Sequence, residues 1–138
     1  MSDLTFDASH YLAFVLSDES RKELIQLFPP SFEKVICHHV TIAFKLDQQT
    51  FDALIEKITP SPTVVATGFL VGKDIECFII EINGVHRSEI NGQRYHVTHS
   101  LQTPAKPVDS NKLIAAEGHE PSRKLHAELS GSLQMVRR

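Results

Sequence analysis

Two triplets in the 138-residue sequence carry the residue types that phosphoryl chemistry needs, His39-Val40-Thr41 and His96-Val97-Thr98. Each falls in a run whose apolar residues alternate as in a strand, so side chains two apart share a face. Within a triplet, His and Thr then point the same way, roughly 6 to 7 Å apart along the strand. Val40 with Ile42, and Val97, take the opposite, core-facing side. Opening a cyclic phosphodiester needs one group to accept a proton from water and another to give one to the departing sugar oxygen. Imidazole can do either near neutral pH. A threonine hydroxyl can donate to a non-bridging oxygen and support the charge that grows in the transition state. The residues do not say which histidine is base and which acid. The scheme calls for no metal and no cofactor.

Other side chains join this pair by position. Arg94 shares parity with His96 and Thr98, so on an early-starting strand it points at a bound phosphate or base; otherwise it is a solvated strand-start arginine. Tyr11 has the parity opposite to Leu12, Phe14 and Leu16, which lets it line a cleft and stack on a nucleobase. Ser100 shares the parity of His96 and could assist phosphate binding, although a strand serine more often bonds backbone or water. His38 should face away from His39, and His99 away from His96, as a partly exposed or hydrogen-bonded structural residue. No Cys or carboxylate stands at a recognisable ligand spacing from these histidines, so a metal site is not expected.

The elements that must hold the triplets are legible from pattern. A strand from His10 to Leu16 precedes a helix capped by Ser17, with Asp18 and Glu19 in its first turn and Pro29-Pro30 at its end. A strand from about Cys37 to Lys45 precedes a second helix, in which Phe51, Leu54, Ile55 and Ile58 form the apolar stripe. Pro60 and Pro62 stop it. Thr63 to Gly72 and Cys77 to Ile82 read as a hairpin, Asn83-Gly84 and Asn91-Gly92 as turns, and Tyr95 to Leu101 as the strand of the second triplet. A helix starts at Asp109-Ser110-Asn111 and closes at Gly118. Leu125, Ala127, Leu129, Leu133 and Met135 share one parity, predicting a long closing strand with a bend at Gly131.

Length and composition, 41% hydrophobic and 22% charged, fit one domain over residues 1–138. The formal charge of −3 leaves no global positive field to hold long nucleic acid, so any such partner is short or held locally. Cys37 and Cys77 lack CxxC spacing, and the chain starts without a basic stretch leading into an apolar one, so a cytoplasmic location with reduced thiols is expected. No apolar run approaches the ~18 residues of a membrane span.

The paired H-x-T motifs, each on a strand in a repeated strand-helix chain, resemble those of the two-histidine phosphoesterase superfamily, which includes cyclic phosphodiesterases and 2′-5′ RNA ligase-like enzymes. The resemblance implies a bilobal α+β fold: two pseudo-symmetric antiparallel-sheet lobes, helices outside, and a central cleft. It implies His39 and His96 as the catalytic pair, with Thr41 and Thr98 on the phosphate. The activity implied is metal-independent hydrolysis of a 2′,3′-cyclic phosphate at an RNA end or nucleotide to a 2′-phosphate, as in RNA processing or repair, by a monomer. The alternative is a non-catalytic RNA or nucleotide-binding module using the same cleft. Fifty-seven residues separate His39 from His96. That is short for the superfamily and implies a trimmed middle and a small or open cleft.

Overall fold

The computed structural model describes residues 4–58, 61–90, 92–116 and 123–137. Its elements run β1 (His10–Leu16), α1 (Asp18–Leu27), β2 (Lys34–Val35), β3 (His39–Ala43), α2 (Gln48–Ile58), β4 (Val64–Val71), β5 (Ile75–Ile82), β6 (His96–Leu101), α3 (Asp109–Ala116), β7 (Arg123–Leu129) and β8 (Gly131–Arg137). The strands form two antiparallel sheets, one of three strands in the order β3-β1-β8 and one of five in the order β2-β6-β5-β4-β7. The chain is thus an α+β protein of two sheets, compatible with a bilobal two-sheet fold.

Local chemistry accounts for the helix starts. The Ser17 hydroxyl accepts from Ser20 N–H at 3.1 Å, and Asp47 plays the same part for α2, its carboxylate accepting from Thr50 N–H at 2.7 Å. Each cap satisfies a backbone donor that the helix itself leaves free. Gly118, Pro60 and Asn91, read above as stop and turn signals, lie outside the described residues.

The alternation of β3 is what aims the first triplet. Val40 and Ile42 are almost wholly buried, packed with Leu12 and Phe14 of β1 and with Leu24, Phe51 and Leu54 from the helices. Burying each such side chain is worth about 1.5–3 kcal/mol. A one-residue slip would expose both and bury His39 and Thr41 instead, so packing fixes the register. On β6 the alternation is subtler, because the five-stranded sheet is covered on both faces. Val97 and Phe78 enter the main core, while Cys77 and Ile79 on the other face pack with Leu70 beneath Ile114 of α3.

The chain passes between the sheets four times, twice without an intervening helix. Cys37 adopts a left-handed backbone (φ 39°) and turns the chain out of the five-stranded sheet, where β2 lies, into the three-stranded one. The second helix-free crossing corrects the expected single closing strand. β7 pairs with β4 in one sheet and β8 pairs with β1 in the other, and the chain passes between them at Ser130. Gly131 is needed there because a Cβ would collide with the Val15 carbonyl and the Phe14 ring. Alternation persisted through the crossing, so the sequence pattern looked continuous.

Candidate active site

The triplets meet along the seam where the sheets join. β2 pairs with β6 through Lys34↔Leu101 and Val35↔Ser100, and the Cys37 N–H extends that pairing by donating to the Thr98 carbonyl at 2.9 Å. Beyond Cys37 the chain leaves this pairing, and β3 packs against β6, bringing the strands of the two triplets together. The rings are near enough that charge on His96 disfavours charge on His39.

His39 has both ring nitrogens engaged. Nε2 is hydrogen-bonded to the Tyr11 hydroxyl at 3.0 Å, and Nδ1 to Nδ1 of His38 at 2.9 Å. Two Nδ1 atoms at that distance share one hydrogen, so the two rings cannot both be cationic. Burial, then the neighbouring His38 and His96, push the His39 pKa down to about 4. Burial raises that of Tyr11, which keeps its proton. The Tyr11 ring stacks on Phe44, centroids 4.8 Å apart and 11° from parallel.

His96 is set differently. Its Nδ1 lies 2.9 Å from the Arg94 carbonyl, and a carbonyl can only accept, so Nδ1 carries hydrogen and Nε2 is the nitrogen left for a ligand. Burial lowers its pKa, and the Arg94 carbonyl, which supports the cation, partly offsets this.

The threonines also differ. Thr41 is half-buried on the face shared with His39, Ala13 and Val15. Thr98 is only 7% exposed; its hydroxyl donates to the Pro107 carbonyl at 3.3 Å and lies 2.9 Å from that of Ser110, in the first turn of α3. Its oxygen is therefore engaged within the protein before any ligand arrives.

Other sequence candidates fall in various places. Tyr11 is at the site, held by His39 and Phe44. Arg94 is half-buried, and β6 begins only at His96, so strand parity does not reach it; it forms an antiparallel bridge with Arg87. His38 does not face away from His39, because the left-handed Cys37 breaks the alternation just before it. His99 turns away as expected and is fully buried, its Nε2–H donating to the Phe28 carbonyl at 2.6 Å. Ser100 is not available to a phosphate: it is fully buried and donates to Glu76 at 2.5 Å. Among the described residues no three His, Cys, Asp or Glu side chains gather as a metal site.

Sequence reasoning missed Phe44, Ser110, Ser132 and Gln134. The last two sit on β8 opposite Val15 and Ala13, which puts them on the face of His39 and Thr41, with Gln134 Nε2 donating to Ser132 at 2.9 Å. Their alternation with Leu133 and Met135 was the available signal. Nothing in sequence separation announced Ser110 beside Thr98.

No family model and no curated protein matches the chain. Among solved structures, that of a fungal RNA kinase matches with a TM-score of 0.54 at 15% identity, over 99% of this chain and 46% of that one. The chain therefore spans less than half the length of that structure, and what the two share is the fold, the α+β arrangement of two sheets described above.

Proposed function

We propose that the chain is a member of the two-histidine phosphoesterases, a metal-independent phosphodiesterase that opens a 2′,3′-cyclic phosphate at an RNA end or nucleotide. What supports this reading is the packing of β3 against β6, the strands that carry the two H-x-T triplets, with both imidazoles partly accessible. The likeness to a fungal RNA kinase favours RNA as the substrate class.

The geometry also supports a division of roles. His39 has three influences against its cation, so it rests neutral and free to accept a proton; the carbonyl behind His96 makes that ring the better proton carrier. His39 takes a proton from the attacking water as oxygen bonds to phosphorus. The bond from phosphorus to the 3′ oxygen breaks, and His96 Nε2–H protonates that oxygen, leaving a 2′-monoester. The cycle ends with the proton on His39, and the exposed His38, at 2.9 Å, stands on its way to solvent. The negative charge that grows in the transition state raises the His39 pKa as it forms, which helps that ring hold the proton it takes from water.

Two observations favour the non-catalytic reading: the Tyr11 hydroxyl already occupies His39 Nε2, and Thr98 is engaged with α3. Incubation with a nucleoside 2′,3′-cyclic phosphate in EDTA separates the two. A monoester product supports the phosphodiesterase; saturable binding with no product supports the binding module.

A further inference from the structure

The hairpin that leads into β6 carries a basic pocket that the chemistry above does not use. It is open, about 440 Å³, and lined by Val85, His86, Arg87 and Arg94. Arg94 is half-buried, and its Nε is shut off from water with no hydrogen-bond partner among the described residues. With Nε closed to solvent, it is the part of the guanidinium lining the open pocket that can meet a ligand, and anions are its usual complement. Arg87 sits across an antiparallel bridge from Arg94, close enough to disfavour the Arg94 cation, and its guanidinium donates to the Gly92 carbonyl at 3.2 Å. The carboxylate nearby is Glu81, 3.8 Å from the His86 ring. Two arginines against one glutamate, which also acts on Arg94, leave a net positive pocket in a chain of net charge −3.

This pocket is tied to the phosphodiester site by backbone. The Arg94 carbonyl holds the His96 ring, and Tyr95 is locked on both sides, its N–H donating to the His86 carbonyl at 2.9 Å and its carbonyl accepting from Ile80 at 3.0 Å. The α-carbons of Arg94 and His96 are at most about 7 Å apart. The two sites therefore share one stretch of backbone, with Arg94 two residues before His96.

We infer that Arg87 and Arg94 form a second phosphate subsite, which takes a phosphate on the 5′ oxygen of the nucleotide whose 2′ and 3′ oxygens bear the cyclic phosphate. This rests on the proposed function for the first phosphate, and ribose chemistry then fixes the second. With the 2′ and 3′ oxygens bridged, the 5′ oxygen is the one hydroxyl position left to carry another phosphate. In an RNA end that group is the backbone diester; in a free nucleotide it is a 5′-monoester. The subsite thus makes the enzyme prefer RNA ends and 5′-phosphorylated nucleotides over nucleosides with a free 5′ hydroxyl.

Binding tests this apart from catalysis. Wild-type protein should bind adenosine 2′,5′-bisphosphate about tenfold or more tighter than adenosine 2′-monophosphate by calorimetry, as expected for a charge-assisted contact. Arg87→Gln and Arg94→Gln should each collapse that ratio toward one. Arg87 is exposed, so its variant is the safer fold, and the thermal midpoint confirms it. Equal affinities in the wild type, or a ratio that survives both substitutions, overturn the subsite whether or not the protein turns over. In turnover, a dinucleotide ending in a cyclic phosphate and a 5′-phosphorylated nucleoside 2′,3′-cyclic phosphate are compared with the 5′-hydroxyl compound. A preference for the dinucleotide alone identifies the RNA diester as the ligand, and a preference for both identifies phosphate of either kind. Failure to hydrolyse any of them counts against the phosphodiesterase reading while the binding ratio still decides the subsite.

Discussion

The two H-x-T triplets are alike in sequence and unlike in setting. The first is buttressed by aromatic and imidazole groups: Tyr11 and His38 hold both nitrogens of His39, and Thr41 stays half-buried on the same face. The second is buttressed by backbone and a helix: a carbonyl fixes His96, and α3 covers Thr98. A strand delivers His and Thr to one face wherever the pattern H-x-T occurs, but what those groups can do is decided by the elements packed over them. Here the difference leaves one imidazole biased toward the free base and the other better able to hold a proton.

The largest effects should come from the histidines. His39→Ala and His96→Ala are each expected to lower kcat by about 10²–10⁴ on a nucleoside 2′,3′-cyclic phosphate, with the circular dichroism spectrum retained. The threonines break the apparent symmetry. Thr41→Val should reduce kcat/KM by about tenfold with little change in thermal midpoint. Thr98→Val should instead show mainly in stability, at about 1 kcal/mol, because it frees the Ser110 hydroxyl and loosens α3. The reverse pattern in chemical denaturation and steady-state kinetics would remove the asymmetry.

The pH dependence sharpens the roles. The base must be neutral, above a pKa of about 4 for His39, and the acid protonated, below a His96 pKa that lies under the usual 6.5. The profile of kcat/KM should therefore peak on the acid side of pH 6.5 and fall above it, while that of kcat shifts upward because bound phosphate favours both cations. An optimum above pH 8 would contradict this assignment. The smallest effect is on folding. A histidine whose native pKa is depressed binds its proton more weakly folded than unfolded, so stability should fall as pH drops below about 6.5 toward 4. His39→Gln should lessen that fall, as read from denaturant midpoints at pH 7 and pH 4.5.

Much of this was legible in the sequence. Alternation around Val40, Ile42 and Val97 located the strands and the facing of both triplets, and Ser17 marked the start of α1 because caps act over three residues. Parity put Tyr11 on the face opposite to Leu12 and Phe14, and its hydroxyl there bonds the His39 ring. What escaped notice depends on chain direction between elements. The left-handed Cys37 that brings His38 beside His39 is not a glycine and carries no sequence signal, and the crossing at Ser130 keeps the apolar period unbroken. The cover over Thr98 arises from α3 packing against β5 and β4, a contact that no local pattern encodes.

The central claim is that His39 and His96 act together on one phosphorus, and a double-mutant cycle reads it directly. Residues that serve a single step as a unit lose their effect together. The account predicts that His39→Ala/His96→Ala hydrolyses a nucleoside 2′,3′-cyclic phosphate in EDTA no more than a few-fold slower than either single variant. Losses that multiply, or full activity in either single variant, would contradict it.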